Sequence, residues 1–297
     1  MLEIKDVSKS YGKKVALDGI DLTVENSSVC GLVGYNGAGK TTLLKIIASV
    51  YTASSGQVLL NGKDTAQCVH SRREMYFIPD DLWFPAGSTL NSMAEFCRSF
   101  YENFSAETYE KLVGMMGLDP KARLSSFSKG MKRQAAFIMA LSSRPSLLLI
   151  DESFDGLDPL KRDLVKKLLM EYIAETEGSV LISSHNLREL SDVCDCIALM
   201  NGNKIQINLS NEEITKDRYK IRLVFDREIE NSELSALGVK GIAYDGKIII
   251  GYAEDDGEIF SRIEGLSPVL FERFPMTLEE VLLNEMGGND YDFKDLF

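Results

Sequence analysis

The chain opens with two stretches, LEIKDVSKSY and VALDGIDLTVE, in which apolar and polar residues alternate. That period predicts two half-buried strands joined by a turn at Gly12. The apolar run VCGLVG follows as a buried strand, then a glycine-rich loop, then the helical pattern TTLLKIIASV. GQVLLNG and MYFIP read as further strands. From residue 90 to about 127 strand signals vanish, and Phe96, Phe100, Tyr101, Phe104 and Tyr109 fall at helical spacing. A mostly helical insert over about 90–140 is expected, with those rings in its own core.

An apolar run LLLI at 147–150 then leads to a helix over about 159–176, a strand SVLISS, a helix beginning near Asn186, and a strand pair around CIALMNGNKIQ. Strands alternating with helices imply an α/β fold whose mostly parallel sheet is covered on both faces. From about residue 217 the pattern restarts as YKIRLVF, SELSALG, VKGIAYD, KIIIGYA, GEIFSRIEG and PVLFERF. Strand, helix, strand, strand, helix, strand is the order of a ferredoxin-like unit. The expected division is therefore a core at 1–216 and a small α+β accessory domain at 217–297, closed by the amphipathic helix TLEEVLLNEM and a polar tail rich in Asp.

Composition narrows the partners. A 297-residue chain with 44% hydrophobic and 26% charged residues can bury a substantial core, so disorder is a poor description. The net charge of -12 argues against broad adhesion to nucleic acid or to an anionic membrane. The N-terminus has no apolar leader, and no apolar run approaches the roughly 18 to 20 residues that span a bilayer, so a soluble cytosolic chain is expected. Five cysteines, an odd number, predict reduced thiols rather than a disulfide framework. Cys194 and Cys196 make a C-x-C, but no second ligand pair stands at metal spacing.

The chemistry begins at GYNGAGKT, Gly34 to Thr41, which fits G-x-x-x-x-G-K-[ST] between a buried strand and a helix start. Its glycines let backbone N–H groups curl around phosphate oxygens, and the helix dipole adds to their pull. Lys40 reaches the terminal phosphates, and the Thr41 hydroxyl can ligate Mg2+. The site is read as binding a nucleoside triphosphate. LLLIDE at 147–152 ends a strand in two acids: Asp151 suits Mg2+, while Glu152 can polarise an attacking water. SFSKGMKRQ at 126–134 opens an apolar helix, and Lys129, Lys132 and Arg133 add positive charge there. It reads either as a plain helix cap with solvated lysines or as a helix end built to meet an anion.

The ordered set GYNGAGKTT, FSKGMKRQ, LLLIDE, GLDP and SSH resembles the ATP-binding subunit of an ABC transporter over roughly residues 1 to 215. The resemblance implies a P-loop ABC-type ATPase core with ATP held by Tyr11, Gly34, Asn36, Gly37, Ala38, Gly39, Lys40, Thr41 and Thr42. It implies that Tyr11 stacks on adenine, that Ser128 and Gly130 form the signature motif facing the P-loop of a second ATPase subunit, and that Gly156 to Asp158 form the D-loop. Catalysis would fall to Lys40, Glu152 and a switch histidine, His185, with Mg2+ held by Thr41, Asp151 and Asp80. Here Asp80 stands where the family usually has a glutamine, Lys129 replaces a common signature glycine, and Ser153 replaces a proline. Trp83, Phe84 and Pro85 fall where the family docks its permease helices. SKGMK and PMTLEEVLLNEMG look like the exporter-type branch, in which an integral membrane permease is a separate protein and the cargo is a drug, peptide or lipid. The rival readings are a soluble ABC ATPase outside transport and an ATP-binding regulatory subunit without turnover.

Overall fold

A computed structural model describes residues 1–152, 154, 156–186, 190 and 192–287. Ser153, the start of the helix expected near Asn186, and the acidic tail lie outside the described residues or reach beyond them. The chain divides into two compact units, Met1–Asn208 and Leu209–Phe297.

In the first unit β1 (Leu2–Tyr11) and β2 (Lys14–Val24) form an antiparallel hairpin turned at Gly12. β3 (Val29–Gly34) is buried along its whole length and delivers the chain to α1 (Lys40–Ile47). β4 (Ser55–Leu60) and the short β5 (Lys63–Asp64) add to the hairpin, giving a four-stranded antiparallel sheet of order β2-β1-β4-β5. α2 (Val69–Arg73) leads into β6 (Met75–Ile78). The helices α3 (Leu90–Phe100), α4 (Ala106–Met116) and α5 (Lys129–Ser143) make the expected insert. β7 (Leu147–Asp151), α6 (Pro159–Thr176), β8 (Ser179–Ser184), β9 (Cys196–Asn201) and β10 (Lys204–Ser210) follow.

The second sheet has order β10-β9-β3-β8-β7-β6, and β9, β3, β8, β7 and β6 run parallel. The mostly parallel sheet expected of the core is present, and the N-terminal strands form a further, antiparallel sheet because they pair with one another and with β4. Alternation along β1 and β2 suits a sheet with one wet face, whereas β3, β7 and β8 are buried throughout because both their faces are covered. Apolar residues of both sheets and of α1, among them Ile4, Leu22, Leu32, Leu44 and Leu149, share one core. The carboxyl ends of the adjacent strands β3, β8 and β7 meet at one edge, where open α/β sheets bind ligands.

The aromatic reading of the insert needs correction. Phe96 and Phe100 are exposed and lie against each other, with ring centroids 5.4 Å apart and planes tilted by 32°. The inward face of α3 is Leu90, Ala94 and Cys97, a spacing of four and three that leaves the two phenylalanines on another face. Tyr101 is half-buried, but it packs on Tyr76 of β6. Phe104 and Tyr109 are half-buried against each other. Periodicity located the helix and missed which face turned inward.

In the second unit α7 (Asn211–Thr215) precedes β11 (Arg218–Val224), α8 (Asn231–Ala236), β12 (Lys240–Asp245), β13 (Ile248–Glu254), α9 (Ile259–Glu264), β14 (Leu270–Pro275) and α10 (Leu278–Gly287). The antiparallel order β12-β13-β11-β14 places the first and third strands of the set at the centre, as in a ferredoxin-like sheet. Ile221, Leu223, Leu234, Ile249 and Ile263 lie in its own core.

Candidate nucleotide site

Between β3 and α1 the backbone must turn back on itself while staying against β2 and β9. Gly37 and Gly39 take positive φ of 89° and 105°. A Cβ on Gly39 would stand 2.7 Å from the Ala16 carbonyl oxygen, and one on Gly34 would stand 2.5 Å from that of Met200. Glycine is needed at Gly34 for space and at Gly39 for space and dihedral freedom alike. Ala38 is buried and its N–H closes the turn on the Tyr35 carbonyl at 3.1 Å. Asn36 and Gly37 face solvent, Thr41 is exposed and Thr42 half-buried, so the outer rim of the loop is open to a ligand.

Lys40, buried to 5% exposure, donates from Nζ to the Gly34 carbonyl at 2.6 Å and to that of Tyr35 at 3.3 Å. Its ammonium also lies 3.3 Å from Glu152 Oε1. The other oxygen of that carboxylate, Oε2, lies 2.5 Å from His185 Nδ1. Glu152 therefore bridges the P-loop lysine and the histidine at the end of β8. Its backbone takes a left-handed φ of 51°, a costly conformation for a side chain-bearing residue. The Glu152 N–H is shared between the carbonyl and the hydroxyl of Ser183, each at 3.2 Å, which fixes this turn to the neighbouring strand.

Asp151 is buried beside it. Its Oδ1 accepts hydrogen bonds from Ser183 Oγ at 2.6 Å and Thr41 Oγ1 at 3.1 Å. Burial pushes its carboxyl above the usual value of 3.8, the negative charges of Glu152 and Asp80 push the same way, and the two hydroxyls pull it back. A cation placed there would relieve both burial and repulsion. The hydroxyl of Thr41 and the carboxylate of Asp151 are hard oxygen donors at adjoining positions, and that donor set fits Mg2+. Asp80, close enough to act on Asp151, accepts from Arg133 Nη2 at its Oδ1 at 2.5 Å.

Arg133 was counted among the charges facing an anion at SFSKGMKRQ. Its side chain is 0% exposed and points the other way, donating also to the Pro79 carbonyl at 3.0 Å. It ties α5 to the loop after β6. At the exposed start of α5, Ser128 caps the helix through the Met131 N–H at 3.2 Å. Gly130 sits so close to the 154–158 turn that a Cβ there would stand 2.8 Å from the Gly156 carbonyl. Asp158 caps α6 through the Lys161 N–H at 2.9 Å, with Pro159 at the first helical position. The signature and D-loop residues are thus neighbours.

Tyr11 stands apart from this cluster at the tip of the first hairpin. It is 47% exposed, edge-on to Tyr51 at 6.3 Å, with Lys9 Nζ 5.2 Å from its ring. Trp83 is 78% exposed, which settles it as a surface residue rather than local core. Two functional contacts escaped the sequence reading: Ser183, signalled only by its place two residues before His185, and the Asp80–Arg133 pair, which carried no local signal.

A glycine loop from a buried strand to a helix, with acids at the end of a nearby parallel strand, defines a P-loop nucleotide-hydrolysing fold. Residues 17–155 match the family described as ABC transporter. Over those residues the chain is similar to the ATP-binding proteins of ABC transporters. It is 27% identical over 292 residues to the ABC transporter ATP-binding protein YtrB of Bacillus subtilis strain 168, covering 97% of this chain and 99% of that one. It is 28% identical over 297 residues to the Nod factor export ATP-binding protein I of Rhizobium meliloti strain 1021, covering 96% and 88%. A solved structure described as the ATP binding subunit of an ABC transporter aligns with a TM-score of 0.67 at 27% identity, over 73% of this chain and 92% of that one. Relatives carry import as well as export names, so the likeness leaves direction open.

Proposed function

We propose that this chain hydrolyses ATP as one half of a nucleotide-closed dimer and powers a separate membrane permease, in the export of a drug, peptide or lipid. The observation that carries the catalytic part is the Glu152 carboxylate gripped between Lys40 and His185 at the mouth of the P-loop. In this reading the loop N–H groups and Lys40 hold the phosphates, and Glu152 takes a proton from the attacking water. His185 orients that carboxylate and meets the terminal phosphate. Thr41 and Asp151 would hold Mg2+, which neutralises phosphate charge when bound. Tyr11 stacks on the adenine, while Ser128 and Gly130 meet the terminal phosphate of the partner's ATP, beside Asp158 of the adjoining turn.

Exposed Trp83, three residues beyond Asp80, supports a permease-docking role for that loop, since a large exposed aromatic is a common anchor for a partner. The export direction rests on the SKGMK signature and the closing amphipathic helix. No helix among the described residues is long and apolar enough to cross a membrane, in keeping with a chain that works on the cytoplasmic face through its permease. The unit from Leu209 is read as an accessory that supplies no catalytic group, because none of the nucleotide-binding motifs lies within it.

Glu152→Gln tests the catalytic assignment. Turnover should fall by about 10²-fold or more, the scale of a lost positioned base, while ATP binding persists. Turnover within a few-fold of the wild type would remove Glu152 from the role.

A further inference from the structure

Three of the five cysteines gather where β3 runs beside β9, a place the nucleotide chemistry does not use. Cys30 on β3 and Cys196 on β9 are direct partners in the parallel register, so their side chains leave the sheet on the same face. Cys30 is fully buried in the core beneath the N-terminal sheet, and half-buried Cys196 packs against that core. The two thiols are near enough to shift each other's ionisation, Cys30 upward and Cys196 downward. Cys194 lies before the strand, with its Sγ 3.0 Å from where a Cβ on Gly31 would stand. Gly31 follows Cys30 on β3 and faces the opposite side, so Cys194 belongs to the other face of the sheet.

We propose that Cys30 and Cys196 are an oxidisable pair, closed by a hydroperoxide into a cross-strand disulfide that weakens ATP binding. Cys30 beside it favours the thiolate on Cys196, the more accessible of the two. That thiolate attacks one peroxide oxygen; the S–O bond forms, the O–O bond breaks, and the departing hydroxide takes a proton to become water. Cys196 is then a sulfenic acid. The Cys30 sulfur, giving up its proton, attacks the Cys196 sulfur; the S–S bond forms, the S–O bond breaks, and a second water leaves. Two thiols and one hydrogen peroxide become one disulfide and two waters, and the two electrons lost by sulfur reduce the peroxide.

The consequence for ATP follows from spacing. The Cβ atoms of a parallel register pair leave the sheet in the same direction and stay about as far apart as the strands, about 4.8 Å, while a disulfide holds its Cβ atoms at about 3.8 Å, so closure pulls β3 and β9 together at this pair. A strained bond of this kind is readily reduced, which makes it reversible. Four residues along, Gly34 pairs with Met200 and is already tight against its carbonyl. The Gly34 carbonyl also holds Lys40 Nζ. Displacing β3 therefore re-aims the first glycine of the phosphate loop and its lysine together.

The test uses the full-length reduced protein, hydrogen peroxide, peptide mapping after blocking residual thiols, and ATP titration before oxidation, after it, and after dithiothreitol. The expected result is a Cys30–Cys196 crosslinked peptide and ATP affinity lowered about tenfold, restored by dithiothreitol. Cys196→Ser should keep its affinity through the treatment, and Cys30→Ser should stop at a sulfenic acid that dimedone traps on Cys196. Persistence of both thiols, a crosslink made through Cys194, or a Cys30–Cys196 disulfide with unchanged ATP affinity would overturn the proposal. ATP binding by the reduced protein is measured in the same series, so a failure of nucleotide binding itself is seen separately.

Discussion

At the start of α1 the chain has already satisfied its own reactive groups: Lys40 is buried against Gly34, Tyr35 and Glu152, and Thr41 is bonded to Asp151. At the start of α5 Ser128 and Lys129 are exposed, and the Ser128 hydroxyl caps its own helix. Both are helix N-termini with backbone donors and a favourable dipole for anions. One is surrounded by side chains from the ends of three strands, while at the other Ser128 and Lys129 are exposed. An exposed helix end discriminates little alone, and it becomes a site when a second surface brings the phosphate to it. That is the physical case for a partner chain, and three experiments press on the contrast between the two helix ends.

The largest effect is expected from breaking one end per chain. Lys40→Ala and Ser128→Arg should each abolish turnover in their own homodimer, since every composite site then holds one broken half. In a mixture, a heterodimer has one site with both defects and one with none. Random pairing and independent sites predict recovery to about a quarter of wild-type activity. ATP-dependent heterodimer formation is measured on the same samples. If heterodimers form and Ser128→Arg proves to damage only its own chain's nucleotide, the α5 end is not completed across the interface.

Much of the α1 end was legible in sequence because its demands are local. A backbone that must wrap phosphate needs glycines at fixed positions, and Gly34, Gly37 and Gly39 occupy just the places where positive φ or a close carbonyl excludes a side chain. The acids at 151 and 152 were readable because an apolar strand has only one end near that loop. The α5 end was less legible for the opposite reason. Arg133 reads as surface charge in any short window, yet it lies one helical turn from the exposed Lys129 on the face that packs inward, and its partner Asp80 is 53 residues away. The joining of β4 to the N-terminal hairpin is likewise a long-range pairing that the alternation within each strand does not encode.

A second experiment therefore removes the anchor of α5. Asp80→Asn leaves the buried guanidinium of Arg133 facing a neutral amide. Because Asp80 is itself 58% exposed, the cost is put at about 1–2 kcal/mol, below the usual figure for a broken buried pair. Urea unfolding should show a lowered midpoint, and ATP-driven dimerisation should weaken while ATP affinity of the monomer holds. An unchanged midpoint together with normal dimerisation would mean that the Asp80–Arg133 pair does not position the signature helix.

The smallest effect should come from Tyr11, which serves the α1 pocket from outside it. The ring is exposed at a hairpin tip and is held by its edge contact with Tyr51 and by Lys9, whose Nζ donates to the Thr52 carbonyl at 2.6 Å while lying over the ring. A ring positioned in this way, with nearly half its surface open, offers a stacking face to a flat base. Base stacking on an aromatic side chain is worth about 1–3 kcal/mol, and one partly solvated ring should sit near the low end. Tyr11→Ala should raise the ATP dissociation constant by about fivefold to tenfold, while turnover at saturating ATP stays near wild type, because no group at the phosphate end has moved. Tyr11→Phe should retain the affinity, since stacking needs the ring and not the hydroxyl. Equal affinities for all three proteins by titration would return Tyr11 to a role in hairpin packing and leave the adenine to another surface.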